Sequence, residues 1–144
     1  MFSKACEYGI KAMIYIAAQT LEKKRVKIPD IVRQTGSPEA FTGKILGALT
    51  KHGILLSHTG PNGGFEIDPA KMHTIKLSEI VLAIDGSSSY EGCVLGLSEC
   101  SQLHPCPVHD KMIKIRNQLR QTLETTTLYE LATGQLSGKF TLIR

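Results

Sequence analysis

The chain has 144 residues, 42% of them apolar, with 17 Lys and Arg against 13 Asp and Glu and a formal net charge of +4. That length suits one domain, or one domain with an appendage, and the apolar share is enough for a core. No apolar run approaches the roughly 18–20 residues of a membrane span. Lys4, Glu7 and Lys11 interrupt the N-terminal stretch, so it does not read as a signal peptide.

These features predict a cytoplasmic protein without membrane attachment, in which clustered cysteines bind metal or sense redox state rather than form structural disulfides. The mild basic excess permits nucleic-acid binding without demanding it. No nucleotide-binding glycine motif and no recognisable catalytic set argue against an enzyme.

In chain order, residues 3 to about 21 predict an amphipathic helix, with Phe2, Cys6, Ile10, Met13, Ile14, Ala17 and Leu21 at helical spacing. Cys6 falls on that stripe and reads as core. Residues 21–27, LEKKRVK, form a cationic turn. A short helix over about 29–35 presents Ile28, Ile31 and Val32 inward. Gly36 suits a left-handed cap, Ser37 the N-cap of the next helix and Pro38 its first position. That helix runs to about His52, with Phe41, Ile45, Leu46 and Leu49 inward. Helix, tight glycine turn and helix make a helix-turn-helix pattern. The strand 54–57, the turn HTGPNGG and the strand 65–67 then predict a β-hairpin wing directly after the recognition helix.

Leu77, Ile80, Val81 and Ile84 mark a further helix ended by Asp85-Gly86. Beyond residue 107, Val108, Met112, Ile115, Leu119 and Leu123 recur every three or four positions on an otherwise polar helix. A narrow seam of this kind suits helix pairing, here between two copies of the chain. The expected fold is mainly α with a small β-hairpin wing. Residues 1–86 form a winged helix-turn-helix domain, 87–106 a cysteine-bearing loop, 107–130 a dimerisation helix and 131–144 a tail that carries little signal.

Three of the four cysteines lie in that loop, as Cys93, Cys100 and Cys106, and His109 follows in the spacing C-x6-C-x5-C-x2-H. Thiolates and a neutral imidazole suit zinc or an iron–sulfur cluster, and the spacing does not choose between them. Pro107 suits the first helical position, which makes Cys106 the expected N-cap, where the helix dipole favours a thiolate. His109 then sits in the first turn, where the same field favours the neutral, ligating imidazole. A thiol switch that forms a Cys100–Cys106 disulfide is the alternative.

The stretches FSKACEYGIKAMIYIA, ILLSHTGPNGGFEI, KLSEIVLAIDG and the C…C…CPVHDKMIKIR segment together resemble the IscR/NsrR/CymR family of bacterial winged-helix regulators. The resemblance spans the chain up to the tail. It implies a homodimer that binds a near-palindromic DNA operator and represses or activates genes according to the state of a [2Fe–2S] or [4Fe–4S] cluster. Redox stress, nitric oxide and iron–sulfur supply are among the inputs, and some relatives lack a cluster and answer to a partner protein.

Carried over residue by residue, Cys93, Cys100 and Cys106 match the cluster cysteines. His109 matches the histidine that completes the favoured [2Fe–2S] site. Glu7 stands near the place where other members supply a carboxylate from the partner subunit. The first cysteine gap is one residue longer than is common. Gly43 stands where IscR-like members carry a glutamate, and Thr59 where an arginine is common, so operator sequence does not carry over. The residues left to reach DNA are Ser37, Glu39, Ala40, Thr42 and Lys44, with Lys51, His58 and Asn62; the lysines would chiefly meet phosphates.

Overall fold

The computed structural model describes residues 2–143, with the Ser89 side chain outside that description. Helix α1 (Lys4–Leu21) is the post against which α2 (Ile28–Thr35), α3 (Glu39–Lys51), α4 (Leu77–Asp85) and α7 (Leu128–Leu136) all pack. Its apolar stripe is the reason: Cys6, Met13, Ile16 and Ala17 are fully buried. Ser3 starts the helix, its hydroxyl accepting the Cys6 N–H at 3.0 Å. Ser3 also bonds the Asp85 carboxylate through both its backbone N–H and its hydroxyl, which joins the start of α1 to the end of α4. Gly9 lets those two helices meet, because a Cβ there would collide with Ile84 Cδ1.

The helix-turn-helix is α2 and α3. Gly36 closes α2 at φ 71°, the left-handed conformation expected of it. Ser37 does not cap α3. Pro38 holds that position, with extended backbone and no side-chain cap. The Ser37 hydroxyl turns inward instead, 2.6 Å from the Thr35 hydroxyl and bonded to that of Thr42. This buried chain of three hydroxyls ends on backbone carbonyls, Thr35 donating to Ile31 and Thr42 to Pro38. Each of the three hydroxyls is paired, and together they rivet the turn.

The wing pairs β1 (Leu56–His58) with β2 (Gly64–Glu66) antiparallel, Ser57 opposite Phe65. Pairing begins two residues later than expected because Ile54 and Leu55 are drawn into the core, 9% and 1% exposed. The cationic stretch before α2 is more than a turn. Val26 bridges the outer side of the wing, its N–H donating to Phe65 O at 3.1 Å and its carbonyl accepting the Phe65 N–H at 2.7 Å.

Helix α4 ends at Gly86 as expected. A single turn α5 (Ser88–Glu91) leads into the cysteine loop, and α6 (His109–Thr125) leaves it. The apolar seam of α6 divides. Leu123 is 1% exposed and, with Leu119, packs on a small second core of Cys6, Val81 and Tyr90, while Ile115 stays 52% exposed. Leu119 and Leu123 of the expected dimer seam therefore serve their own domain.

The tail expectation is corrected. Residues 128–136 form α7, so a boundary at 131 falls inside a helix. Thr127 and Glu130 cap it reciprocally, and Leu128 and Ala132 seat it on α1. Among the described residues no helix is long and apolar enough to cross a membrane.

Burial, and then the Asp85 carboxylate, push the Cys6 thiol up from its ordinary 9.0 to about 12. A raised folded-state value stabilises the fold below the unfolded value, and that stability is lost as pH rises through the folded one. The free energy of unfolding should therefore decline from pH 9 toward 12, more steeply in the wild type than in Cys6→Ala. Denaturant titrations across that range measure it, and equal slopes would refute the assignment.

Candidate metal centre and nucleic-acid interface

The loop between α5 and α6 folds so that Cys93 lies beside Cys106, and Cys100 beside His109. The N–H of Leu97, then those of Leu95 and Gly96, face the Cys93 sulfur, as does the Cys106 thiol; together these hold the Cys93 thiol below its ordinary value. Cys100 Sγ lies 3.4 Å from Nδ1 of His109. His109 is 6% exposed, and its other ring nitrogen, Nε2, has no hydrogen-bond partner. All four residues line one cavity of about 370 Å³, floored by Met112, Ile113 and Leu119 of α6.

Cys106 is not the N-cap of α6. Its carbonyl accepts the His109 N–H at 3.0 Å, which makes 106–109 a separate turn, and Val108 precedes the first helical residue. Pro107 shapes that turn rather than the helix. Cys100 faces His109 and Cys106 faces Cys93, so a Cys93–Cys106 disulfide stands beside the expected Cys100–Cys106 pair.

Three thiols and one imidazole are a donor set of the kind that holds an iron–sulfur cluster or zinc. Among the described residues no three His, Cys, Asp or Glu side chains are grouped as one metal ion requires. A [2Fe–2S] cluster instead asks for two donors at each of two irons, and two pairs are present. Two ligands on one tetrahedral metal, at ~2.3 Å for sulfur and ~2.0 Å for nitrogen, stand about 3.5 Å apart. The Cys100–His109 separation of 3.4 Å matches that. The ring would ligate through Nδ1, the nitrogen beside Cys100, and its buried Nε2 has no hydrogen-bond partner. Glu7 stands apart from this group, exposed on α1 and paired with Lys4 at 3.0 Å.

Helix α3 presents one clear outer stripe. Ala40, Lys44, Gly47 and Lys51 are exposed at intervals of four, three and four residues, while Ile45, Leu46 and Leu49 face the core. Glu39 is exposed at the helix start, and Asn62 at the wing tip. Ser37 and Thr42 correct the expectation: they are 3% and 2% exposed, held in the hydroxyl chain of the turn and off the outer stripe. His58 is half-buried, its Nε2 3.1 Å from Glu66 Oε1.

Gly47 has open space where a Cβ would lie, and Gly43 only an ordinary contact with Ile28 at 3.8 Å. Internal packing therefore explains neither glycine, although each costs the helix about 1 kcal/mol against alanine. Arg25 is the residue the sequence reading passed over. Its guanidinium donates to Asn62 O at 3.0 Å and pairs with Glu66 at 3.2 Å, which fixes the wing to the α1–α2 connection and sets a cation beside its tip. The only sequence signal was its place in a basic run just before the β-branched Val26.

A helix-turn-helix with a bridged hairpin behind it, and a cysteine cavity on the following helix, define a winged-helix DNA-binding regulator. A family model described as "Rrf2: Iron-dependent Transcriptional regulator" matches residues 2–134, and the chain belongs to the Rrf2 family. It is 30% identical over 135 residues to an HTH-type transcriptional regulator of Aquifex aeolicus, covering 91% of this chain and 90% of that one. It is 26% identical to the HTH-type transcriptional regulator IscR of Vibrio parahaemolyticus, over 88% of this chain and 73% of that one.

Two solved structures share the fold. CymR (YrzC), the global cysteine regulator of B. subtilis, superposes with a TM-score of 0.75 at 21% identity, over 92% of this chain and 96% of that one. T. potens IscR does so with a TM-score of 0.72 at 20% identity, over 97% and 91%. These relatives are regulators of transcription, not enzymes.

Proposed function

We propose that this chain is a homodimeric transcriptional regulator that senses redox, nitric oxide or iron–sulfur status through a [2Fe–2S] cluster. Cys93 and Cys106 would hold one iron, and Cys100 and His109 the other. The observation that carries this reading is the segregation of four donors into two pairs within one cavity. His109 as fourth ligand, completing a second pair with Cys100, favours two irons over four.

When bound, such a cluster supplies a centre that oxidants and nitric oxide attack, and its gain or loss changes what ties the loop down. The chain's own residues carry the consequence. Cys100 and His109 join the loop to the start of α6. Helix α6 packs on α4, and α4 packs on both α1 and α3. A loop held at both ends biases the angle of α6, and with it the spacing of two recognition helices in a dimer. The exposed Ile115, with Met112 beside it, is the surface offered to the second copy. Two-fold symmetry then calls for half-sites separated by whole helical turns.

DNA affinity measured with the cluster present and after its removal tests the sensing claim. A difference of tenfold or more on one sequence is expected, as the coupling of two sites usually gives about 5–150-fold. Equal affinities would end it. Lys44→Ala should weaken binding across sequences alike and lower the slope of log affinity against log salt by about one per subunit. An unchanged slope would remove Lys44 from the DNA surface.

One observation favours a second reading. The facing Cys93 and Cys106 thiols suit a disulfide switch in a protein without cluster. In metal-free protein treated with diamide, peptide mapping should find Cys93–Cys106 as the first disulfide. Cys100–Cys106 as the first product would contradict the pairing described above.

A further inference from the structure

The cysteine loop has to leave α5 in a defined direction for Cys93 to reach the cavity, and the structure shows what sets that direction. Helix α5 ends at Glu91, and the last carbonyls of any helix lack partners within it. Here they find donors on α6. Arg116 Nη1 donates to Gly92 O at 2.8 Å and to Glu91 O at 3.3 Å. Arg120, one turn further on, donates to Tyr90 O at 3.5 Å, stands 3.6 Å from the Glu91 carboxylate and lies over the Tyr90 ring at 5.2 Å. Three successive carbonyls immediately before Cys93 are thus held by two guanidinium groups. Tyr90 is 4% exposed among Cys6, Val81 and Leu123, so the anchor is fixed to the second core.

Arg116 also borders the cavity, two turns along the helix that begins with His109. One rigid element therefore carries a proposed ligand at its start and the clamp on the opposite end of the loop at its middle. We infer that Arg116 is the positioning residue of the site: by holding the Glu91 and Gly92 carbonyls it fixes where Cys93 enters relative to Cys100, Cys106 and His109. Both carbonyls meet the one Nη1 nitrogen, so lysine, with its shorter reach and more strongly hydrated charge, replaces it only in part. The inference draws on the proposed cluster site for its metal readout and stands on geometry for the other.

The test compares wild type, Arg116→Gln and Arg116→Lys as full-length chains, after circular dichroism has shown equal helix content. In metal-free protein, backbone hydrogen exchange over residues 93–97 should quicken roughly tenfold in Arg116→Gln, the effect expected from losing a charge-assisted bond, with Arg116→Lys between. Exchange in α1 should not change. In protein reconstituted without oxygen, loss of iron to a chelator should quicken by a similar factor in the same order. Equal exchange over 93–97 in all three proteins would overturn the clamp. Quickened exchange in a wild-type background that takes up no iron would leave the clamp standing and sink the cluster reading instead.

Discussion

Cys106→Ala is expected to abolish the retention of iron and sulfide while leaving the fold and its melting temperature close to those of the wild type. Cys106 faces Cys93, so its loss leaves one proposed iron with a single protein donor. Loss of a mere outer partner of a metal ligand costs roughly 10–100-fold in affinity, and a direct ligand should exceed that. The fold should survive because Cys106 is only half-buried in an irregular loop and belongs to neither core.

Cys6→Ala is the matched control. It removes a thiol just as surely, but one buried under α4 and far toward its neutral form, and iron content should stay at the wild-type level. His109→Ala should weaken retention and alter the visible spectrum, because Cys100 loses its partner on the second iron. Iron and sulfide assays on the three variants decide the matter. Full retention in Cys106→Ala would remove this residue from the ligand set.

Leu46→Ala should have the largest effect on stability. Leu46 is fully buried in α3, between the outer stripe of that helix and the core formed with Ile31, Ile45 and Leu49. Truncation of a buried leucine costs about 2–5 kcal/mol, through lost transfer energy and the cavity left behind. Against the ~5–15 kcal/mol that stabilises a typical domain, such a loss removes about an eighth at least and, at mid-range values, about a third. Urea titration should show a markedly lower midpoint with an unchanged slope, and DNA binding should fall with the folded fraction. Lys44→Ala, two residues away but exposed, should leave the midpoint in place. A cost below about 1 kcal/mol at Leu46 would mean the recognition helix is not seated as described.

Much of this architecture was legible in the residues. The end of α4 at Gly86 and the left-handed cap at Gly36 follow from what glycine allows and other residues resist. The meeting of Cys93, Cys100, Cys106 and His109 was signalled by ligand-type residues in a segment too poor in apolar neighbours to bury them as core.

What was missed is tertiary. Ser37 carries every local mark of an N-cap, yet its hydroxyl is captured by Thr35 and Thr42, and no sequence rule shows that competition. Thr42 looks like a DNA-facing position until its place on the helix is fixed by the burial of Ile45 and Leu49. Val26 pairs with a strand thirty-nine residues away in sequence, Phe65, and a basic run masks it. Helix α7 did leave a local sign in Thr127-x-x-Glu130 ahead of Leu128, Leu131 and Ala132, and that capping box should have been read.

The most direct test of the central claim is the iron and acid-labile sulfide content per chain of protein purified without oxygen, taken with its visible absorption spectrum. About two of each per chain, with charge-transfer bands in the visible, is the expected result for ligation by Cys93, Cys100, Cys106 and His109. Neither element, even after anaerobic reconstitution, would contradict it and leave the cysteines as thiols and the protein as a winged-helix regulator with some other input.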